Sequence, residues 1–347
     1  MASIYDLVTA KNVTTYWKEL NQNEQPYLGE TLFPVQKQLG TNIEWIKGAS
    51  NQPVGIRLSS YDAKSIRRDM KGIEKVETEM PFFKESIYVD EKLRQQLNNF
   101  IDANKPQIVD TILTKIFDRL TSLIASTDVT LERMRMEMLT TGTITLSSNG
   151  QSYTYDYEVP ADNKKTVAKS WDDPDADIIG EINAWKTAMR AKGVKITRAI
   201  CNTTVIQGML KNTAMKNAIY VFAGGTVNLT EENVRSYITA QTGIRFAVYD
   251  NVWVDESGNA HKYVPDNTVV FMPDGALGNT YLGTTPEESD LINNLNAQVS
   301  IVNEGVAVTT SQMVDPVNVD TKVSMVALPS FEEADKVLIV DTKVVSG

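Results

Sequence analysis

The chain has 347 residues, 42% of them apolar and 22% charged, an ordinary globular balance that can bury a core and has the length of about two domains. A formal net charge of −10 argues against whole-surface binding to nucleic acid. Cys201 is the only cysteine, which excludes an intrachain disulfide and a cysteine-based zinc site.

The opening segment Met1-Ala2-Ser3-Ile4-Tyr5-Asp6 lacks the basic-then-apolar layout of a signal peptide. No apolar run approaches the length of a transmembrane helix, and we expect synthesis and folding in a cytoplasm. Residues 1 to about 30 mix anchors such as Ile4, Leu7, Val8, Tyr16, Trp17 and Leu20 with polar positions. They read as an arm with one short helix, laid over another surface. Asn42 to Ile46 alternates polar and apolar like a half-buried strand.

From Lys47 to about Lys75 the loop formers Gly48, Ser50, Asn51, Pro53, Gly55, Ser59 and Ser60 gather. This stretch carries Arg57, Lys64, Arg67, Arg68, Lys71 and Lys75 against Asp62, Asp69 and Glu74, a basic excursion in an acidic protein. Glu77 to Tyr88 alternates again as a return strand. Two strands around a long tip describe an extended two-stranded loop, and long loops of this kind are functional or disordered.

The run from Val89 to Thr141 is helical in period. Leu93, Leu97, Phe100 and Ile101 share one face, the pattern pauses at Asn104-Lys105-Pro106, and it resumes from Ile108. Proline is tolerated in a first helical turn, so we expect a short helix, a break at Asn104, and a helix from about Lys105 to Thr141. At 1.5 Å per residue the second is roughly 50 Å long. Thr127, Asp128 and Thr130 are candidate breaks within it.

Thr143–Leu146 and Tyr153–Tyr157 flank Asn149-Gly150, the preferred pair for a two-residue hairpin turn. Asp177 caps an expected helix from Ile178 to Lys192, with Gly193 beyond its end. A strand at Val194–Ala199, helices at Thr203–Lys211 and Glu231–Gln241 (the latter capped by Thr230), and strands at Phe246–Tyr249, Val252–Val254 and Thr268–Met272 follow. Together they define a mixed α/β domain from about 175 to 290. The tail from Ala297 to Val345 is strand-rich.

Chemistry-bearing patterns are few. His261 is the only histidine and lies in a turn-like polar stretch, so a histidine triad or two-histidine metal site is hard to build. Cys201 ends an apolar strand and reads as buried and inert. Asp172-Asp173-Pro174-Asp175-Ala176-Asp177 fails as a calcium loop: Ile178 stands where the glycine belongs and Ala184 where the bidentate glutamate belongs. There is no phosphate-binding loop, and Gly224-Gly225 lacks the context of a dinucleotide site. We expect no catalytic residues, no cofactor and no metal.

The order of parts resembles the major capsid proteins of tailed bacteriophages, which share the Hong Kong 97 type fold. Local sequence sharpens the resemblance toward the lambda-type group, the major capsid protein E family. It is carried by Asp173-Pro174 through Asp177-Ile178, by Tyr263-Val264-Pro265-Asp266-Asn267-Thr268-Val269-Val270, by Gly275 to Gly283 with Tyr281, and by Leu32-Phe33-Pro34. The resemblance implies an α+β tailed-phage major capsid fold. Its parts are an N-terminal arm and lead-in (1–44), an extended two-stranded loop (45–85), a peripheral domain with spine helix and hairpin (86–174), an α/β axial domain (175–295), and a strand-rich return (296–347).

It also implies a head protein that assembles into an icosahedral shell around phage DNA. The partners are copies of itself as pentamers and hexamers, a portal protein and a decoration protein, with DNA bound only non-specifically and no membrane. Because the chain begins directly with the arm, a separate scaffolding protein is expected. Arg57, Lys64, Arg67, Arg68 and Lys71 become candidate inter-subunit contacts, since a basic loop on an acidic body docks by opposite charge. Some relatives cross-link through a loop lysine, but no motif carries that chemistry over to Lys64, Lys71 or Lys75. The alternatives are another phage structural subunit, such as a tail-tube or sheath protein, and a soluble hydrolase using carboxylates.

Overall fold

The computed structural model describes residues 4–21, 25–47, 74–148, 150–220, 228–291, 297–314 and 317–344. The first part of the chain forms α1 (Ile4–Leu7), α2 (Ala10–Leu20), α3 (Leu28–Leu32), β1 (Val35–Lys37), β2 (Asn42–Lys47), β3 (Glu74–Glu79) and β4 (Phe82–Val89). Then come α4 (Glu91–Asp102), α5 (Pro106–Thr141), β5 (Thr143–Ser148), β6 (Gln151–Asp156) and β7 (Lys164–Thr166). The α/β stretch holds α6 (Ile178–Ala191), β8 (Arg198–Cys201), α7 (Thr203–Met209), α8 (Thr213–Ile219), α9 (Glu231–Thr242), β9 (Arg245–Val248), β10 (Val252–Val254), β11 (Ala260–Lys262) and β12 (Thr268–Met272). The tail adds β13 (Thr280–Leu282), β14 (Ala297–Val302), β15 (Val306–Val314), β16 (Val317–Pro329) and β17 (Leu338–Asp341).

The chain divides into two units. The first comprises 1–45, 77–134 and 279–330; the second comprises 46–76, 135–278 and 331–347. The division therefore falls within α5.

The first unit is built on β16. Its outer partners are β15 along Val314↔Val317 to Ala307↔Ser324 and β4 along Val319↔Val89 to Val326↔Phe82, with β13 continuing the pairing at Ala327, Leu328 and Pro329. β14 extends the sheet beyond β15, and β1 runs parallel to β13. The arm is not a stray segment. Within this unit α2 lies on β14 and β15, with Val13 and Trp17 buried and Thr14 Oγ1 within 3.0 Å of Ser300 Oγ. The arm thus holds more helix than its mixed sequence announces, and it covers a sheet of its own chain. The expected return strand is two strands, β3 and β4, interrupted at Met80-Pro81, because proline has no N–H for a ladder.

The spine is one helix of 36 residues, about 54 Å long at 1.5 Å per residue. The expected pause is present: Asp90 caps α4 by accepting the Leu93 N–H at 2.7 Å, and Asn104 sits at φ +52° between the two helices. The candidate break at Thr127 does not occur. Thr127 donates to the Ile124 carbonyl at 2.7 Å, and Thr130 to Ser126 at 2.8 Å. Hydroxyls that bond back into their own helix are satisfied there, so they do not compete for the backbone. Glu132 in the same helix is fully buried, and its Oε1 accepts the Gly29 N–H at 2.9 Å.

The second unit contains a five-stranded sheet in the order β7-β17-β12-β8-β9, antiparallel at β12 and parallel at its two edges. Its core joins Trp171, Ile178, Ile182 and Met189 with Val205, Ile206, Val234 and Ile238 and with Phe271, Leu338 and Val340. Trp171 Nε1 donates to Glu181 at 2.9 Å, and Trp171, Trp185, Phe271 and Phe246 form a chain of ring contacts between 5.7 and 6.2 Å. Asp177 caps α6 through the Gly180 N–H at 3.0 Å, and Thr230 with Asn233 forms a capping box on α9. β8 begins four residues later than the expected strand. In the β5–β6 hairpin, Ser148 pairs with Gln151, leaving a two-residue turn with Gly150 at φ +76°.

Gly142 ends α5 at φ +81°, and a Cβ there would meet Val159 Cγ2 at 2.7 Å. Gly142→Ala should therefore lower unfolding stability by roughly 1–3 kcal/mol, from combined backbone strain and overpacking. Urea denaturation measures this as a lower midpoint at unchanged slope.

Candidate assembly surfaces

The predicted contact residues Arg57, Lys64, Arg67, Arg68 and Lys71 all lie outside the described residues. What the structure does place is the root of their loop. β2 and β3 pair as a two-stranded sheet, the Met80 N–H donates to Thr41 O at 2.9 Å, and Asn42 Nδ2 donates to Glu77 Oε1 at 3.4 Å.

The lead-in to that root is fastened by charge. Lys37 Nζ donates to Glu288 at 2.6 Å and to the Gly283 carbonyl at 2.9 Å. Beside it, Glu287 is buried and receives Lys322 Nζ at 2.6 Å and Ser324 Oγ at 2.8 Å. Burial alone would push the Glu287 carboxyl up. The donors, led by Lys322, outweigh it and hold the group below its ordinary value. A buried pair of this kind fixes geometry, and losing one partner strands a charge. The Thr284 N–H donates to the Gly40 carbonyl at 3.0 Å, and a Cβ on Gly283 would stand 2.6 Å from the same oxygen. Here two strands of chain pass at backbone distance. Nothing local to Glu287-Glu288 marks their distant lysines, Lys322 and Lys37.

In the second unit the Pro-Asp-Asn-Thr turn proves to be a junction. Asp266 Oδ1 receives Asn202 Nδ2 at 2.6 Å, Lys262 Nζ at 2.7 Å and Thr204 Oγ1 at 2.9 Å. Asn267, at φ +61°, offers its carbonyl to the N–H of Thr342 at 2.7 Å and to its hydroxyl at 2.9 Å. The turn thereby ties the start of α7 and the end of β17 to β12. Asp250 adds to the same helix start by accepting the Thr203 N–H at 2.8 Å, as well as the Thr203 hydroxyl.

Neither candidate for reactivity is built for it. The Cys201 thiol is buried, and burial pushes its pKa up to about 12, which leaves no thiolate at neutral pH. His261 is exposed on β11, stacks on Trp253 with ring centroids 4.7 Å apart, and pairs through Nε2 with Asp255 at 2.8 Å. Among the described residues no group of three or more His, Cys, Asp or Glu side chains is placed to hold a metal ion. No helix among them is long and apolar enough to cross a membrane.

Solved structures show the class of fold. A prophage protein of Escherichia coli CFT073 described as a capsid protein superposes with a TM-score of 0.56 at 14% identity, covering 95% of this chain and 98% of its own. A phage-related protein of Bordetella bronchiseptica RB50 superposes with a TM-score of 0.57 at 12% identity, covering 98% and 99%. This is the α+β fold of tailed-phage capsid proteins. No curated protein sequence matches the chain. The profile of the phage major capsid protein E family matches residues 9–342, and the chain belongs to that family. It is thus a structural head protein, a subunit of the icosahedral virion shell that encloses phage DNA, and the tail-subunit alternative falls away.

Acid should expose the junction at Asp266. Lys262, followed by Thr204 and Asn202, holds its carboxyl below the ordinary value of 3.8, with burial opposing. A carboxyl lowered on folding contributes stability that is complete above its unfolded value and is lost as pH falls through the folded one. Thermal melts of the wild type should thus decline below about pH 4. Asp266→Asn should melt lower at neutral pH and show a shallower acid decline. An identical acid decline in both proteins would remove Asp266 from the account.

Proposed function

We propose that the shell is held together through the extended loop of 45–85, which reaches a neighbouring subunit and docks there by the charges of Arg57, Lys64, Arg67, Arg68 and Lys71. The observation that carries this reading is the braced root. β2 pairs with β3 at the loop's root and Lys37 in the lead-in pairs with Glu288, which supports a loop that leaves a held base. A fixed base limits the ordering cost of docking a long segment. Its positive charge against a net acidic chain favours orientation and fast encounter.

In this reading 86–174 with the C-terminal strands forms the peripheral domain, and 175–295 forms the axial domain that meets its copies in pentamers and hexamers. The sheet of β7, β17, β12, β8 and β9 with its helices supports the axial assignment, and α5 supports the spine. Assembly takes place in the host cytoplasm with a portal protein, and the outer face is open to a decoration protein. The net negative charge keeps contact with packaged DNA weak and non-specific. No catalytic step belongs to this role.

Reversing both arginines, Arg67→Glu with Arg68→Glu, should slow shell formation by about tenfold while the subunit's melt is unchanged. The wild-type rate should itself fall as salt is raised, since exposed charges are screened within about 10 Å at 0.1 M ionic strength. Light scattering and electron microscopy measure both effects. Normal shells at a normal rate from the double variant would make the loop charges incidental.

A further inference from the structure

Charge is unevenly placed in the second unit. Between Glu181 and Glu231 the sequence holds no carboxylate side chain, while Lys186, Arg190, Lys192, Lys195, Arg198, Lys211 and Lys216 fall there, in a chain of net charge −10. Topology gathers most of these cations at one end of the five-stranded sheet. α6 ends at Ala191 and α9 at Thr242, and each leads toward the start of a strand, β8 at Arg198 and β9 at Arg245. The two strands run parallel, and Arg198 stands opposite Arg245 in their register. Lys186 on α6 donates to the Thr242 carbonyl, which ties the two helix ends together. The opposite ends of these helices and strands carry Asp177, Glu231, Asp250, Asp266 and Asp341.

Few carboxylates answer the cations. Arg198 donates through Nε to the Pro273 carbonyl at 2.8 Å and also to the Gly275 carbonyl, and Lys192 donates to the Asn163 side-chain oxygen at 2.7 Å. Those acceptors are neutral. Among the described residues only Arg245 of this group has an ion pair, with Asp274 at 2.9 Å, and its side chain is still 69% exposed. Asp162 lines the recess beside Lys192, but Lys165 lies there too. Arg190, Lys192 and Lys195 are exposed. Burial pushes the Arg198 pKa down, and the like charge of Arg245 adds to this against the pull of Asp274. Like charges on adjacent strands are unfavourable, and an anion laid across them relieves the repulsion.

Cations at a helix C-terminus also favour the helix dipole, which accounts for Arg190 and Lys192. It does not account for Lys195, Arg198 and Arg245, which stand beyond the helices. No large apolar side chain is exposed from Lys186 to Arg198 or from Arg245 to Val248. A protein partner is gripped around an apolar centre, whereas a surface of bare cations fits the phosphates of a nucleic acid.

We propose that this end of the sheet, with Arg190, Lys192, Lys195, Arg198 and Arg245, is a contact for the phosphate backbone of double-stranded DNA. Phosphate contacts carry no sequence information, so binding here is independent of base sequence. The inference rests on the shell assignment, which supplies the enclosed DNA, and it gives the weak contact with that DNA a place in the fold.

The test titrates the full chain with a mixed-sequence DNA duplex at several salt concentrations. Binding should weaken as salt rises, and a duplex of different sequence should bind alike. Arg190→Gln with Lys195→Gln should leave the melt unchanged, weaken binding by about tenfold and flatten the salt slope by about two. Particles give a second readout that requires no variant: Lys192 and Lys195 should be acetylated more slowly in DNA-filled shells than in the same shells emptied of DNA. Wild-type affinity in the double glutamine variant, or equal acetylation in filled and emptied shells, would overturn the proposal while leaving the shell assignment intact. Loss of DNA binding in Arg67→Glu with Arg68→Glu but not in the glutamine variant would also overturn it, since the extended loop would then be the DNA contact. Binding of poly-glutamate without binding of the duplex would overturn it as well, because the partner would then be an acidic protein segment. Failure of the wild type to form shells would instead overturn the assignment on which it rests.

Discussion

The first unit depends on a single strand that is paired along both edges. β16 gives one edge to β15 and the other to β4 and then β13, and from Val323 to Ser330 every residue is buried. A strand covered on both faces must be apolar or have its polar groups satisfied. Val323, Met325, Val326, Ala327 and Leu328 meet the first condition; Ser324, bonded to Glu287, meets the second. The same strand supplies Lys322 to the buried Glu287, next to the Glu288 that holds Lys37 in the lead-in.

The second unit answers a different demand. Beside its sheet lies the turn at Asp266-Asn267, where one carboxylate gathers an amide and a hydroxyl from the start of α7 and an ammonium from Lys262. A residue pattern that marks a family is here a mechanical part. Asp266 stitches helix to strand, and Asn267 adopts the left-handed backbone that asparagine tolerates better than most residues.

Much of this was legible because it is local. Helix caps depend on one side chain and the next turn, so Asp177 and Thr230 were readable, as were the pause at Asn104 and the hairpin at Gly150. Strands of three residues such as β1, β7 and β13 carry too few positions to show a period, and they exist only because a distant strand offers its edge. The burial of Glu132 was not readable for the same reason, because its partner Gly29 lies far away in the sequence. Thr127 and Thr130 erred the other way, since propensity marks them as breakers and back-bonding keeps them in the helix. For the surfaces, the basic loop was visible as a change in composition. The Lys322–Glu287 and Asp255–His261 pairs were not, because side chains meeting across strands leave no spacing rule that can be read in one dimension.

The central claim is that this chain is a subunit of a closed shell, and cryo-electron microscopy of its assembled particles tests it most directly. The account predicts closed icosahedral shells of pentamers and hexamers in which α5 runs unbroken from Pro106 to Thr141. Open tubes, or only monomers and small oligomers under every condition of co-expression, would contradict it.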